Sequence, residues 1–255
     1  MRPLINKIKP TKGFSRLAHM ATNIGLVLLV FVLVRIEFAQ LALALILLSK
    51  WRMFAVRPRF WPALVRYNSV DIIVSVSLLV FMAHTSDQTM QLLWTGVYAL
   101  WLLVIKPATG ALMVSVQAMT GLLFGLSAVF MQWGGSPLYW LVFTVALICY
   151  LAARHFFDSY EEPYAKLLSY LWAFFASALT WVLGHWLLFY GPIAQPTLLL
   201  VAVGYGLAVL YYLDHNDKLS NLVRAEIMVT TCAIAVAVVV SLTVNVVDTV
   251  RELLR

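Results

Sequence analysis

The chain has 255 residues, of which 63% are hydrophobic and 11% charged, with a net charge of +7. Soluble domains carry about 25% charged residues, so there is too little charge here to clothe a water-facing surface, and a mean hydropathy of +0.90 agrees. A soluble domain is excluded, and nucleic acid is excluded as a partner, because the basic residues sit between apolar runs rather than on one polar face.

The reading is an all-α, polytopic transmembrane bundle of about nine spans. A basic arm, residues 1–16 (Arg2, Lys7, Lys9, Lys12, Arg16), precedes an apolar run from Leu17 to Val34. That run has no small-residue cleavage site and exceeds the about 7–15 residues of a signal-peptide core, so it reads as a retained first span. Spans of about 20 residues are expected near 17–34, 38–54, 68–84, 91–106, 112–132, 138–153, 167–189, 197–213 and 226–246. The second is the weakest, since only Phe38 to Ser49 is free of charge. One long helix or a shallow re-entrant hairpin across 17–49 is the alternative; it gives eight spans and moves the C-terminus across. Residues 17–246 read as a single membrane domain, and 247–255 as a short tail.

The turns fix an orientation. "SDQT" (86–89), "QWGGSP" (132–137) and "YGPIAQP" (190–196) are short, carry turn formers and hold no lysine or arginine. The opposite connections hold 15 of the 18 Lys and Arg, leaving Arg35, Arg251 and Arg255 on the other side. Positive charge in short loops stays in the cytoplasm, which predicts the N-terminus inside and, with nine spans, the C-terminus outside. The cell membrane is the expected location.

The largest inner loop, 50–67, carries Lys50, Arg52, Arg57, Arg59 and Arg66, interleaved with Trp51, Phe54, Phe60 and Trp61. Tryptophans favour the headgroup layer, arginines snorkel to lipid phosphates, and Pro58 and Pro62 forbid one long helix. A bent interfacial segment on an anionic inner leaflet is expected. The same loop is the candidate dock for a protein partner.

Ionisable groups within hydrocarbon are costly, so each is a candidate site. Asp71 follows Arg66 and Asn68 about one turn into the third span, and Glu226 follows Asn221 and Arg224 into the ninth. Interhelical pairs, Arg224 with Asp71 or Arg66 with Glu226, would leave no charge uncompensated. His185 lies in "TWVLGHW" and is expected to bond a neighbouring helix or to serve a proton relay. Gln117, Thr180 and Thr231 are interhelical glue, and Gly121 and Gly125 form a small-xxx-small pair.

Two inner loops combine histidine with acids, "RHFFDSYEEPY" (His155, Asp158, Glu161, Glu162) and "LDHND" (Asp214, His215, Asp217). The ligand types suit a divalent ion, but His155, Asp158 and Glu162 share a face only if the segment is helical up to Pro163, and no metal is expected. Cys149 and Cys232 lie inside apolar runs with no CxxC pair, which argues against a disulfide framework or a thiolate site.

No GxSxG, HExxH, P-loop or dinucleotide fingerprint occurs. "EEPYAK" (161–166) followed by "WVLGH" (181–185) resembles the pattern of the glutamate–histidine intramembrane CPBP proteases, EExxxR then FxxxH. Lys166 and Trp181 depart from that pattern, no third motif follows, and the acids lie in a charged loop.

Three further stretches resemble the heliorhodopsins, retinal proteins with an inverted, N-inside topology. "FSRLA" (14–18) opens the first span, "YEEP" (160–163) sits in an inner loop and "SNLVRAE" (220–226) opens the last span. "VRYNSVD" (65–71) stands where that family's third helix carries its acidic counterion, which the resemblance assigns to Asp71. The family has seven helices rather than nine, and its last helix needs a lysine for the retinal Schiff base, whereas 227–246 has none. The resemblance therefore implies a pigmentless relative, with no covalent retinal and no other cofactor expected.

A transporter or channel for a small solute or ion, or its membrane subunit, is the first functional expectation. Its route would be lined by Asp71, Glu226, Arg66, Arg224, Asn68, Asn221 and His185. A non-catalytic scaffold or receptor-like subunit is the second, and an intramembrane enzyme the third.

Overall fold

The computed structural model describes residues 14–53 and 55–253, with side chains described for 20–51, 53 and 55–240. Residues 1–13 of the basic arm, Phe54, and the side chains of Arg16, Arg52 and Arg251 lie outside the described residues. The chain divides between Thr109 and Gly110 into two compact units, and apart from one two-stranded hairpin the described elements are helical.

The first unit holds α1 (Phe14–Arg35), α2 (Ala39–Leu48), α3 (Trp61–Tyr67), α4 (Ser69–His84) and α5 (Gln88–Leu100), which continues as a π-helical stretch over Trp101–Ile105. Short 3₁₀ turns, Trp51–Met53 and Pro58–Phe60, punctuate the basic loop. α1 ends with Glu37 in the left-handed region at φ 64°. The Phe38 N–H donates to the Leu33 carbonyl at 2.8 Å and that of Glu37 to Val34 at 3.0 Å, a Schellman closure with an acid in the glycine position. α3 and α4 meet at Asn68 with a bend of 62°. Asn68 Nδ2 donates back to the Leu64 carbonyl at 2.9 Å, and Ser69 Oγ to that of Arg66 at 2.7 Å. These bonds satisfy the last carbonyls of α3 and let a new helix start at an angle. Asp87 caps α5 by accepting from the Met90 N–H at 3.1 Å. Val30, Ala42, Ile46, Val74, Leu78, Met82, Tyr98 and Trp101 form the buried interior.

The second unit holds α6 (Ala111–Trp133), α7 (Leu138–Ser159), α8 (Ala165–Leu183), α9 (Gln195–His215) and α10 (Asn221–Leu253). α7 packs against α6 and α8, and α10 against α9. Between α8 and α9, strands β1 (Phe189–Tyr190) and β2 (Ile193–Ala194) pair antiparallel, Tyr190 opposite Ile193. Gly191 sits at φ +59° in the turn between them, the first central position of a two-residue hairpin, where glycine is at no steric disadvantage. Pro137 and Pro196 stand at the starts of α7 and α9, where a missing N–H costs nothing.

Among the described residues, six helices are long and apolar enough to cross a membrane, and a seventh span results if the bent α3–α4 pair is counted as one. Large apolar side chains point outward on them, Leu93, Phe143, Phe174 and Val236 among others. An exposed apolar surface on helix after helix suits hydrocarbon, not water, and the protein is integral to a membrane. The second expected span is corrected: 38–54 contains only the ten helical residues of α2, which rise about 15 Å against a hydrocarbon core of about 30 Å. α10 runs on to Leu253, so the expected tail begins as a continuation of the helix.

Candidate functional site

The charged centre of the first unit is Asp71, in the first turn of α4 and buried. Its Oδ2 takes ion pairs from Lys50, just beyond α2, and from Lys106 at 2.8 Å, just beyond the π-helical stretch. Its Oδ1 accepts from the Trp101 indole Nε1 at 3.0 Å. One carboxylate thus faces two ammonium groups, and Lys50 is buried along with it. Taking Lys50 and Asp71 out of water is tolerable only because their charges compensate each other, with the half-buried Lys106 as a second partner.

Local structure places each partner. On an α-helix, Trp101 and Lys106 would lie about 140° apart around the axis. The π-helical stretch, in which the Lys106 N–H donates to the Trp101 carbonyl at 2.8 Å, widens the turn and carries both side chains to one face.

Behind Asp71 the α4–α5 hairpin keeps a polar seam. Ser75 and Tyr98 follow at helical spacing, with hydroxyls close to each other, buried and outside hydrogen-bond geometry with any partner among the described residues. At the far end Gln91 Nε2 donates to the Thr85 carbonyl at 2.7 Å, and Thr95 Oγ1 donates to the Gln91 carbonyl at 2.7 Å and approaches Met82 Sδ at 3.5 Å. Leu78, fully buried, interrupts the seam on α4.

The sequence singled out Asp71 but not its partners. Its neighbours in the chain group Lys50 with the lipid-docking residues, and the structure corrects this: it is an interior residue. Asn68, expected in the polar route, closes α3 instead. Lys106 was counted only as a loop charge, and Trp101 passed as one more apolar residue.

The rest of the basic loop presents Trp51, Arg57, Arg59, Trp61 and Arg66 on the surface. The Arg59 guanidinium lies 4.5 Å over the Phe60 ring, and Trp61 Nε1 donates to the Val56 carbonyl at 2.9 Å, so the loop is internally braced and bent at Asn68.

In the second unit, Asn221, Arg224 and Glu226 are exposed in the first turns of α10, which Ser220 caps by accepting from the Val223 N–H at 3.3 Å. His185 is exposed at the end of α8, and its Nδ1 lies 2.7 Å from the carbonyl of Trp181 in its own helix. The neighbouring-helix bond expected for it is thereby corrected. The histidine–acid loops are spent on internal pairs: His155 Nε2 with Gln117 Oε1 at 3.1 Å, Arg154 with Asp158 at 2.9 Å, and the Tyr211 hydroxyl donating to Glu162 Oε2 at 2.5 Å. Phe156, Phe157, Tyr160, Tyr211 and His215 pack ring on ring beside them. Among the described residues, no group of three metal-ligating side chains converges.

No protein-family model, curated protein or solved structure matches the chain, so what it does is argued from this geometry.

Proposed function

We propose that the chain is a non-catalytic, receptor-like or scaffolding membrane protein in which the Asp71 cluster is a structural clamp. One observation carries the reading: the carboxylate is closed on both oxygens, by two lysines and an indole, and buried. A carboxylate that binds a passing ion must exchange ligands with water, and this one has protein donors in those places. An N-terminus in the cytoplasm of the cell, and a basic loop resting on an anionic inner leaflet where a protein partner docks, complete the proposal. The heliorhodopsin resemblance enters it as a shared inverted orientation without pigment.

Proteoliposomes report on the proposal directly. Proton, sodium and potassium fluxes are followed with pH- and potential-sensitive dyes for wild type, Asp71→Asn and Glu226→Gln. No flux that depends on either carboxylate is expected; a flux lost in Asp71→Asn would replace the clamp with a transport site.

Transport of a small ion is the second reading, and the polar seam favours it. The Ser75 and Tyr98 hydroxyls lie inward of Asp71 with hydrogen-bonding capacity unused, which is how a proton relay is furnished.

A further inference from the structure

We propose that the second unit binds one hydrocarbon chain of a single-chain lipid with an uncharged, hydroxyl-bearing head, a monoacylglycerol being the simplest member of the class. Its site is a cavity of about 470 Å³ among α6, α7, α8 and α9. That volume falls within the roughly 300–1,000 Å³ of small-molecule sites. The assignment deepens the receptor-like reading and rests on it.

The walls decide the class of ligand. Apart from the Tyr211 phenol, every side chain lining the cavity is apolar, with Phe156 and Trp172 among them. A polar group placed deep inside would lose its hydrogen bonds at a cost of several kcal/mol, so the portion inside must be hydrocarbon. The mouth decides the route. Leu171 and Phe175 on α8 and Leu207 on α9 line the cavity, yet are 56%, 43% and 52% exposed. The cavity therefore opens sideways between two helices that cross the membrane, onto acyl chains rather than water. Void left unfilled against hydrocarbon forfeits dispersion contacts, and a lipid tail is the molecule at hand.

The rim decides the head. The Tyr211 ring lines the cavity, while its hydroxyl donates to Glu162 Oε2 at 2.5 Å. A carboxylate at that end repels a phosphate or a fatty-acid carboxylate and accepts a hydrogen bond from a hydroxyl. Gly204 shapes the interior: a Cβ there would stand 3.1 Å from Leu122 and 3.2 Å from the Trp172 indole. Glycine lets that ring seat against α9.

The test uses the full-length protein in detergent and a monoacylglycerol with a photoreactive diazirine in its chain, followed by peptide mapping. Saturable adducts are expected on peptides spanning 152–157, 168–175 and 203–211. Unlabelled 1-oleoylglycerol should compete them away at least ten-fold better than oleoyl-lysophosphatidylglycerol, and Glu162→Gln should erase that preference. Ala208→Trp, which fills the cavity, should cut the adduct ten-fold or more; if it fails to fold, Ala153→Phe fills the same space from α7. Adducts spread evenly over lipid-facing leucines of both units would overturn the site, as would full labelling of a folded filled variant. Equal competition by the anionic lysolipid would overturn the head assignment. A carboxylate-dependent ion flux would remove the receptor-like reading and leave the labelling pattern standing, so the two failures are separable.

Discussion

Trp101 and Lys106, five positions apart, reach the same carboxylate because the helix between them is wound as a π-helix. Removing one residue from this stretch, for example Val104, restores α-helical winding and leaves Trp101 and the lysine four positions apart, about 40° around the axis, so both still face Asp71. The deletion is therefore expected to lower thermal stability in detergent much less than Lys106→Met, which removes the ion pair. Combined with Lys106→Met, the deletion should add little to the loss, because the facing of Trp101 toward Asp71 is unchanged. A deletion as costly as Lys106→Met in a differential scanning fluorimetry series would show that the π-helical winding serves some other purpose.

The cluster holds one more cation than anion, and that imbalance predicts an order among substitutions. Asp71→Asn leaves the buried Lys50 ammonium facing the half-buried Lys106 with no anion between them and should cost up to about 3 kcal/mol. Lys50→Met leaves a one-to-one pair of Asp71 with Lys106 and should cost markedly less. Urea or thermal unfolding in one detergent ranks the two; the reverse order would mean that Lys50 is the principal partner.

Among the described residues, three helices close with an acid in the left-handed region: Glu37 at φ 64°, Glu161 at 55° and Asp217 at 54°. Each closure has the paired bonds of a Schellman motif, as in Lys218 N–H to the Leu213 carbonyl at 2.8 Å and Asp217 N–H to that of Asp214 at 3.0 Å. Left-handed backbone costs a side-chain-bearing residue of order 1 kcal/mol. Asp217→Gly should therefore raise stability by about 0.5–1 kcal/mol, and Asp217→Val should lower it. A Tm that falls with glycine would mean that the Asp217 side chain holds a contact worth more than the strain.

The exposed arginines of the basic loop predict a lipid dependence. Arg57→Gln, Arg59→Gln and Arg66→Gln should each remove about 1 kcal/mol of attraction to an anionic surface. Thermal stabilisation by phosphatidylglycerol nanodiscs over phosphatidylcholine ones should shrink stepwise through the series. A constant difference would take the loop off the headgroups.

Orientation is open to the same directness. With Cys149 and Cys232 replaced by alanine, single cysteines at Ser86 and Ser159 should be labelled by an impermeant maleimide from opposite sides of the membrane. Labelling from one side would overturn the serpentine with its basic turns inside.

Hydropathy announced the apolar helices because burial in lipid imposes a long, simple pattern that one chain carries by itself. The site was less legible. Asp71 stood out as an acid in an apolar run, but its partners come from sequence separations of 21 and 35 positions. Lys50 looked like the flanking bases around it, since nothing local separates a lysine turned inward from one turned to phosphate. Trp101 and Lys106 are hidden for a sharper reason: their shared face exists only in π-helical winding, whereas a search at 3.6 residues per turn puts them on different sides. The cavity has no signature either, because the alanines, aromatics and leucines that line it compose the whole protein.

The shortness of α2 has a consequence for the surrounding lipid. Its ten residues and the sixteen of α4 rise about 15 and 24 Å, less than an average bilayer is thick. Helices that short, tied together through Lys50 and Asp71, cannot tilt their way to a match. Acyl chains beside this half of the molecule must instead compress or disorder, at fractions of a kcal/mol per ångström of mismatch. The protein should thus gather short or unsaturated tails around its first unit and partition into the thinner patches of a mixed membrane.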